Sequence, residues 1–495
     1  MTDSSAPLTP HRWWVLAVIV AGQLMVILDA TIVNIALPSA QADLGFSDHD
    51  RQWIITAYAL AFGSLLLLGG KVSDAIGRRT AFIIGLSGFA AASALGGLAT
   101  GFPQLVIARA LQGAFGALLA PTALALLSTT FTEPAEKRRA FGVWGAVAGG
   151  GGALGLLLGG VLTEELDWRW TLFVNLAFAA LAVIGTVVFI RRARGTQSRR
   201  NPIDILGATL VSGGLFGLVF GLGNVSRDGW GSWTTVGSIA AGLVLLLLFF
   251  VRQARAPWPL LPLSVLRDRN RGAAFLVLLI GGAGILAMSF FLSYYLQQVL
   301  RFTPIQAGAG FIPLLLALVV SATLSTTRLV PRLGQKVVTP VAMLVVASGL
   351  LYLSTLSTTS SYAAGVLPAL LVVGLGMGAI VAPSLQAATT GIAPSEAAVA
   401  SATVNASQQV GGSIGTAVLN SLAASVATGY LASHAGATAQ DASRVAGYDA
   451  GFVAIAGLFA AGAIVMALLI RRRPPERITV GREQLSTADA GGAVS

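Results

Sequence analysis

Apolar runs of about twenty residues recur along this chain almost from end to end. A bilayer admits only structures that satisfy every backbone hydrogen bond internally. Each run is long enough to cross a roughly 30 Å hydrocarbon core as an α-helix rising about 1.5 Å per residue. Fourteen such runs can be counted, the first starting near Trp13 and the last near residue 448. The fold class that follows is all-α and polytopic. Composition agrees, since 55% of the 495 residues are apolar and only 10% are charged.

The basic residues orient the chain. With the amino terminus inside, 25 of the 31 Lys and Arg residues fall on the cytoplasmic side, five fall outside, and Arg109 lies within a span. The net charge of +11 therefore reads as positive-inside loops rather than a nucleic-acid surface. The expected location is the inner (cytoplasmic) membrane, multi-pass, with both termini cytoplasmic. Ala40-Gln41-Ala42 resembles a cleavage site, but the run before it is too long for a signal peptide and carries Asp29 and Asn34. It is read as a retained helix. The chain has no cysteine, which excludes a thiol redox centre, and its three histidines, His11, His49 and His434, are scattered. No metal site and no cofactor are expected.

Internal repetition gives the organisation. GKVSDAIGRRT at residues 70–80 has a degenerate echo, TRLVPRLGQKV, at 327–337, with Gly77 aligned to Gly334 and Arg79 to Lys336. GALLAP, ending at Pro121, matches GAIVAP, ending at Pro383. Two parallel halves of six helices follow, 13–191 and 272–470. Residues 192–271 supply linkers and an inserted helix pair, and 1–12 and 471–495 are cytoplasmic ends, the latter expected to be disordered.

LDATIVNIALP in helix 1, GKVSDAIGRRT after helix 2, RALQGAFGALLAP in helix 4 and WRWTLFVN at helix 6 resemble the signature set of the major facilitator superfamily. The likeness covers the whole chain and is closest to the fourteen-helix drug:proton antiporter branch. It implies the major facilitator fold and multidrug or antibiotic efflux. Two positions depart from the pattern: Leu156 and Ala177 stand where the family often has proline.

Each motif also has a physical reading. Gly70 and Gly77 permit close helix approach and a tight turn, Asp74 can accept hydrogen bonds from neighbouring helix ends or an arginine, and Arg78 and Arg79 can reach carboxylates or headgroup phosphates. An aspartate fixed amid that positive charge suggests a conformational latch. The glycine run AVAGGGGALGLLLGG lacks the Lys-Ser or Lys-Thr of a phosphate loop and lies in an apolar span, so it reads as close helix packing. With no Walker motif, uphill transport requires an ion gradient.

Asp29 is the acid of the membrane interior. Counted along their helices, Asp29, Arg109 and Gln112 lie about 13, 9 and 13 Å below the outer surface. The resemblance implies that helices 1 and 4 line a central cavity, which would set this acid and this base beside one pathway. Burial and a neighbouring guanidinium act on a carboxylate in opposite senses, so changing the Asp29–Arg109 separation is a way to bind and release a proton. Gln112 can orient either side chain.

The second half reads as having no acid within its spans. Its polar groups include Tyr294 and Gln298 in helix 9 and Asn405 and Gln409 at i, i+4 in helix 13, which with Asn34 form the candidate substrate cavity. Glu396 reads as a first-turn acid of helix 13.

The reading is a proton-coupled exporter of lipophilic small molecules working by alternating access, not an enzyme. Its partners are protons, a small lipophilic solute and the bilayer, and a monomer is expected. The alternative on the same fold is a proton symporter or facilitator importing a metabolite. A membrane enzyme lacks a nucleophile, base and metal set here, and a channel lacks charge rings or a filter sequence.

Overall fold

The computed structural model describes residues 11–47, 50–131, 133–190, 204–261, 263, 268–389, 397–434 and 439–470. Residues 1–10, the linker 191–203, Glu396 and the tail 471–495 lie outside the described residues.

Fourteen long helices occupy the described chain. The first six are α1 (Arg12–Leu44), α2 (Gln52–Ile76), α3 (Arg78–Gly97), α4 (Phe102–Thr130), α5 (Pro134–Glu165) and α6 (Trp170–Phe189). An inserted pair follows, α7 (Ile205–Asp228) and α8 (Trp233–Arg255). The last six are α9 (Arg269–Val299), α10 (Pro304–Leu333), α11 (Gln335–Leu353), α12 (Tyr362–Ala388), α13 (Ala397–Ser433) and α14 (Ala439–Leu469). Twelve are long and apolar enough to cross a bilayer, and α2 makes thirteen when its two bent parts count as one span. Exposed tryptophans mark the two membrane surfaces, Trp13 and Trp14 at one end and Trp170, Trp230 and Trp233 at the other. The chain is a multi-pass membrane protein.

Helix ends follow local chemistry. Asp204 caps α7 by accepting from the Gly207 amide at 3.0 Å, and its carboxylate also takes bonds from Arg252 (3.2 Å) and Gln253 (3.0 Å) of α8. Burial works to push this carboxyl up, but the Gly207 amide, Gln253 and Arg252 outweigh it and hold Asp204 below the usual carboxylate range. Thr303 and Gln306 form a reciprocal capping box at the start of α10.

One boundary differs from the sequence reading. Helix α14 begins at Ala439 rather than near 448, which brings Asp441 into it, while Asp449 lies within the helix on either boundary, so the second half is not free of acids. Its polar start, AQDASRV, conceals the helix in a hydropathy reading. Asp441 there bonds Arg301 at 3.0 Å and Arg444 at 3.2 Å, while Ser443, Val445 and Gly447 are buried.

The repeat is visible in the packing. In the first half α1 packs on α5 and α6, α2 on α4, and α3 on α4 and α6. In the second, α9 packs on α13 and α14, α10 on α12, and α11 on α12 and α14. The turns at Gly77 and Gly334 adopt φ of 89° and 78°, a left-handed conformation that favours glycine. The halves meet along two seams, α2 against α13 and α5 against α10, and the inserted α7 lies over the first. This is an all-α fold of two six-helix bundles plus two inserted helices.

Small residues allow the close crossings within each bundle. A Cβ on Gly411 would run into the Leu279 carbonyl of α9, and one on Gly282 into the Gln408 carbonyl, whereas one on Gly457 would meet nothing within 4 Å. Gly411→Val is therefore expected to destabilise by about 1–3 kcal/mol or more, and Gly457→Val to be neutral. Thermal unfolding in detergent compares them, and equal melting temperatures would refute the packing argument.

Candidate functional site

A buried polar cluster occupies the middle of the first bundle, with five helices contributing. Helix α1 brings Asp29, α4 brings Arg109 and Gln112 one turn apart, α3 brings Ser93, α6 brings Asn175, and α2 brings Tyr58 and the Ile54 carbonyl. Asp29, Gln112, Ser93 and Asn175 are 0% exposed and Arg109 is 1% exposed. Burial at that depth is tolerated because nearly every polar atom has a partner.

The carboxylate of Asp29 is the common acceptor. Arg109 Nη1 donates to Oδ2 at 2.6 Å, while Gln112 Nε2 and Asn175 Nδ2 each donate to Oδ1 at 2.8 Å. Gln112 also accepts from Arg109 Nη1 at 2.9 Å and donates to Ser93 Oγ at 2.7 Å. Arg109 Nε donates to the Ile54 carbonyl at 3.1 Å, and its guanidinium lies 4.4 Å from the Tyr58 ring centre. Asn175 Oδ1 is buried with no hydrogen-bond partner among the described residues. A small cavity of about 10 Å³, close to the room one water needs, adjoins Arg109 and extends past Val33, Ala36 and Ala40 toward Trp168.

The three residues singled out from sequence thus come together, with Gln112 bonding both charges. Sequence reasoning missed Asn175, Ser93 and Tyr58. Asn175 had a signal, an isolated amide in an apolar span at the end of WRWTLFVN. Ser93, among small residues, had none. The expected position beside a central cavity is not what the structure shows. Asn175 of α6 bonds Asp29 directly and Ser93 of α3 accepts from Gln112 and Asn175, so the ion pair is enclosed within the first bundle.

The candidate latch residues lie at the end carrying Arg78, Lys336 and Arg255, the basic end. Gly70 faces Pro121 closely enough that a Cβ would sit 3.7 Å from it. Asp74 has a side chain 63% exposed and stands 3.7 Å from Arg78. Arg78 donates to the Ala125 carbonyl at 3.3 Å and Arg79 to the Val187 carbonyl at 3.2 Å, tying the start of α3 to the last turns of α4 and α6.

The five cavity candidates separate. Three sit at the opposite, far end. There Ser293 Oγ donates to the Asn34 carbonyl (2.7 Å), Tyr294 Oη to Gln41 Oε1 (2.7 Å), Gln297 Nε2 to the Ile35 carbonyl (3.1 Å), and the Ile305 amide to Glu164 (3.0 Å). Arg51 lies 4.1 Å from the Tyr294 ring centre and 5.0 Å from that of Phe290. Tyr294 is therefore a seal between the halves rather than the wall of an open cavity, and Gln298 has its Oε1 buried beside that seal. On α13, Asn405 is exposed and Gln409 is half-buried against Gly63 of α2.

The cluster predicts its own energetics. Arg109→Gln leaves Asp29 buried without its cation and should cost about 3–5 kcal/mol, while adding Asp29→Asn should restore most of the loss. Thermal unfolding of the two single variants and the double gives the coupling, and simple additivity would show that the pair contributes nothing jointly.

Comparison with known proteins agrees with this architecture. The Major Facilitator Superfamily profile matches residues 19–416. A puromycin resistance protein of Streptomyces alboniger is 44% identical over 482 residues, covering 97% of this chain and 95% of that protein. A cephamycin export protein of Amycolatopsis lactamdurans is 36% identical over 469 residues, covering 92% and 93%. A tetracenomycin C resistance and export protein of Streptomyces glaucescens is 36% identical over 417 residues, covering 83% and 76%. Among solved structures, a bacterial homologue of the human lysosomal transporter Spinster superposes with a TM-score of 0.64 at 14% identity, covering 94% of this chain and 99% of the other. Profile, relatives and fold coincide, and the chain belongs to the major facilitator superfamily, a family of transporters.

Proposed function

We propose that this protein exports lipophilic small molecules, antibiotics among them, across the cytoplasmic membrane in exchange for protons, by alternating access. The observation that carries the proton coupling is the fully buried Asp29–Arg109 pair, braced by Gln112 and Asn175. The export direction is supported by relatives named for antibiotic resistance and export. The basic end faces the cytoplasm in this reading, and the far end faces outside. The working units are the halves 13–191 and 272–470, acting within one monomer, with the helix pair inserted between them in the chain.

The chemistry follows from donors and acceptors. Asp29 accepts three N–H bonds, an arrangement suited to a carboxylate that carries no proton. A proton arriving on Oδ2 places an O–H donor where Arg109 Nη1 donates, which weakens the contact between Asp29 and Arg109. Arg109 also holds the Ile54 carbonyl of α2, and α2 forms the seam with α13. Release of Arg109 thereby reaches the contact between the halves. The small cavity beside Arg109 lies on the side of the pair toward the far end. The bonds of Ser293, Tyr294 and Gln297 describe a state closed on that side.

At the basic end Gly70, Asp74, Gly77, Arg78 and Arg79 form the latch that closes the cytoplasmic side in the opposite state. Asp74 is exposed here and free to meet the second half when the halves rotate. Asn405 and Gln409 offer hydrogen bonds to a solute held between the halves.

Two measurements test this reading. Asp29→Asn should still insert, at a cost in stability because Arg109 loses its partner, but lose puromycin export driven by a pH gradient in proteoliposomes; accumulation against the gradient at the normal rate would refute the proton role. Asp74→Asn should slow transport several-fold while leaving solute affinity unchanged, because the residue lies at the membrane surface away from the solute. A large affinity loss with normal turnover would contradict the latch.

A further inference from the structure

A second site lies away from the ion pair, where the inserted helices meet the first bundle. At the far end a cavity of about 440 Å³ opens between α2, α4 and α7. That volume falls in the range of small-molecule sites, roughly 300–1,000 Å³. Trp53, Phe216 and Phe220 form its apolar wall, with Trp53 and Phe220 ring centres 5.9 Å apart and those of Phe216 and Phe220 5.7 Å apart. Asp50 and Asp228 stand at its rim, and Asn224 lines it between them and the rings. Asp50 accepts from Ser47 Oγ at 2.7 Å and Asp228 from Thr234 Oγ1 at 2.6 Å. Among the described residues neither carboxylate takes part in a salt bridge, and no basic side chain lines the cavity.

We infer that this cavity binds an amphipathic organic monocation, its charge at Asp50 and Asp228 and its apolar body against Trp53, Phe216 and Phe220. Three features select that class together. Two carboxylates supply a negative rim, aromatic faces attract a poorly hydrated cation, and an opening at the membrane surface admits a ligand with one polar and one oily end. The wall behind the rings is also placed to matter. The Gly223 carbonyl of α7 accepts from Gln52 of the first half at 3.4 Å and from Ser421 of the second at 3.2 Å. An occupant therefore rests on the turn that fastens α7 to both halves at the far end. The inference concerns binding alone and stands independently of proton coupling.

The absence of cysteine makes the test direct. Asn224→Cys is purified into lipid nanodiscs and labelled with thiosulfonate reagents carrying a trimethylammonium, a sulfonate or a methyl group, with Val106→Cys as a second reporter within the same cavity. Relative to the rates of the same reagents with a free thiol in solution, the cationic reagent should react about tenfold faster than the anionic one, the scale of electrostatic focusing in a charged cleft. Tetraphenylphosphonium should protect the thiol, and tetraphenylborate, its anionic counterpart in shape, should not. Asp50→Asn with Asp228→Asn should abolish both effects while methyl labelling and elution of the protein stay unchanged. Equal rates for the two charged reagents, or phosphonium protection that survives neutralisation of both acids, would overturn the inference. So would methyl labelling lost in phosphatidylethanolamine discs yet retained in phosphatidylglycerol discs without any probe, since a lipid amine would then be the occupant.

Discussion

Separating Asp29 from Arg109 inside this bundle means leaving a charge in a medium that cannot solvate it, at a cost of several kcal/mol. The pair is therefore kept together by everything around it. Gln112 touches both partners, Asn175 and Ser93 fill the remaining acceptor and donor positions, and Tyr58 covers the guanidinium face. Helices α1, α2, α3, α4 and α6 are consequently tied at one point, so the first bundle has good reason to move as a unit.

The two halves share topology but divide the work. Their helices pair in the same pattern, and their α2–α3 and α10–α11 turns use glycine at matching positive φ. Only the first half has an enclosed ion pair at its centre among the described residues. The second carries amides on α13 and its acids, Asp441 and Asp449, toward the start of α14. Among the described residues it has three π-helical turns, one ending α9 (Tyr295–Val299), one inside α10 (Ser325–Leu329) and one opening α12 (Tyr362–Val366). Such turns shift the register of a helix face without breaking the helix. Rigid charge chemistry thus lies in one bundle and more irregular helices in the other.

Much of this is legible from residues alone, for reasons that can be named. Hydropathy reveals helices because lipid forbids unpaired backbone, and depth along a helix is simple arithmetic, so counting residues is enough to set Asp29, Arg109 and Gln112 near one level. Rotation about the helix axis is not so simple. It decides whether Asp29 faces a cavity or the interior of its own bundle, and Asn175 and Ser93 settle it through contacts invisible in a linear reading. Tyr294 fails as a cavity residue for the same reason, since its bond to Gln41 joins positions 253 residues apart. The early start of α14 is hidden because its first turns are polar in sequence, with Asp441 held by Arg301 and Arg444.

The placement of α7 over only one of the two seams breaks the symmetry of the repeat. Seen from the surrounding lipid, the α2–α13 seam is curtained by α7, while among the described helices no further span packs over the α5–α10 seam. A lipophilic solute dissolved in the bilayer thus meets a molecule with a front and a back. Both seams are closely packed, Gly308 of α10 lying against the Leu156 carbonyl of α5, but only the α2–α13 seam carries a further helix between it and the lipid. A helix pair packed on one seam alone gives a pseudo-symmetric transporter a sidedness within the plane of the membrane as well as across it.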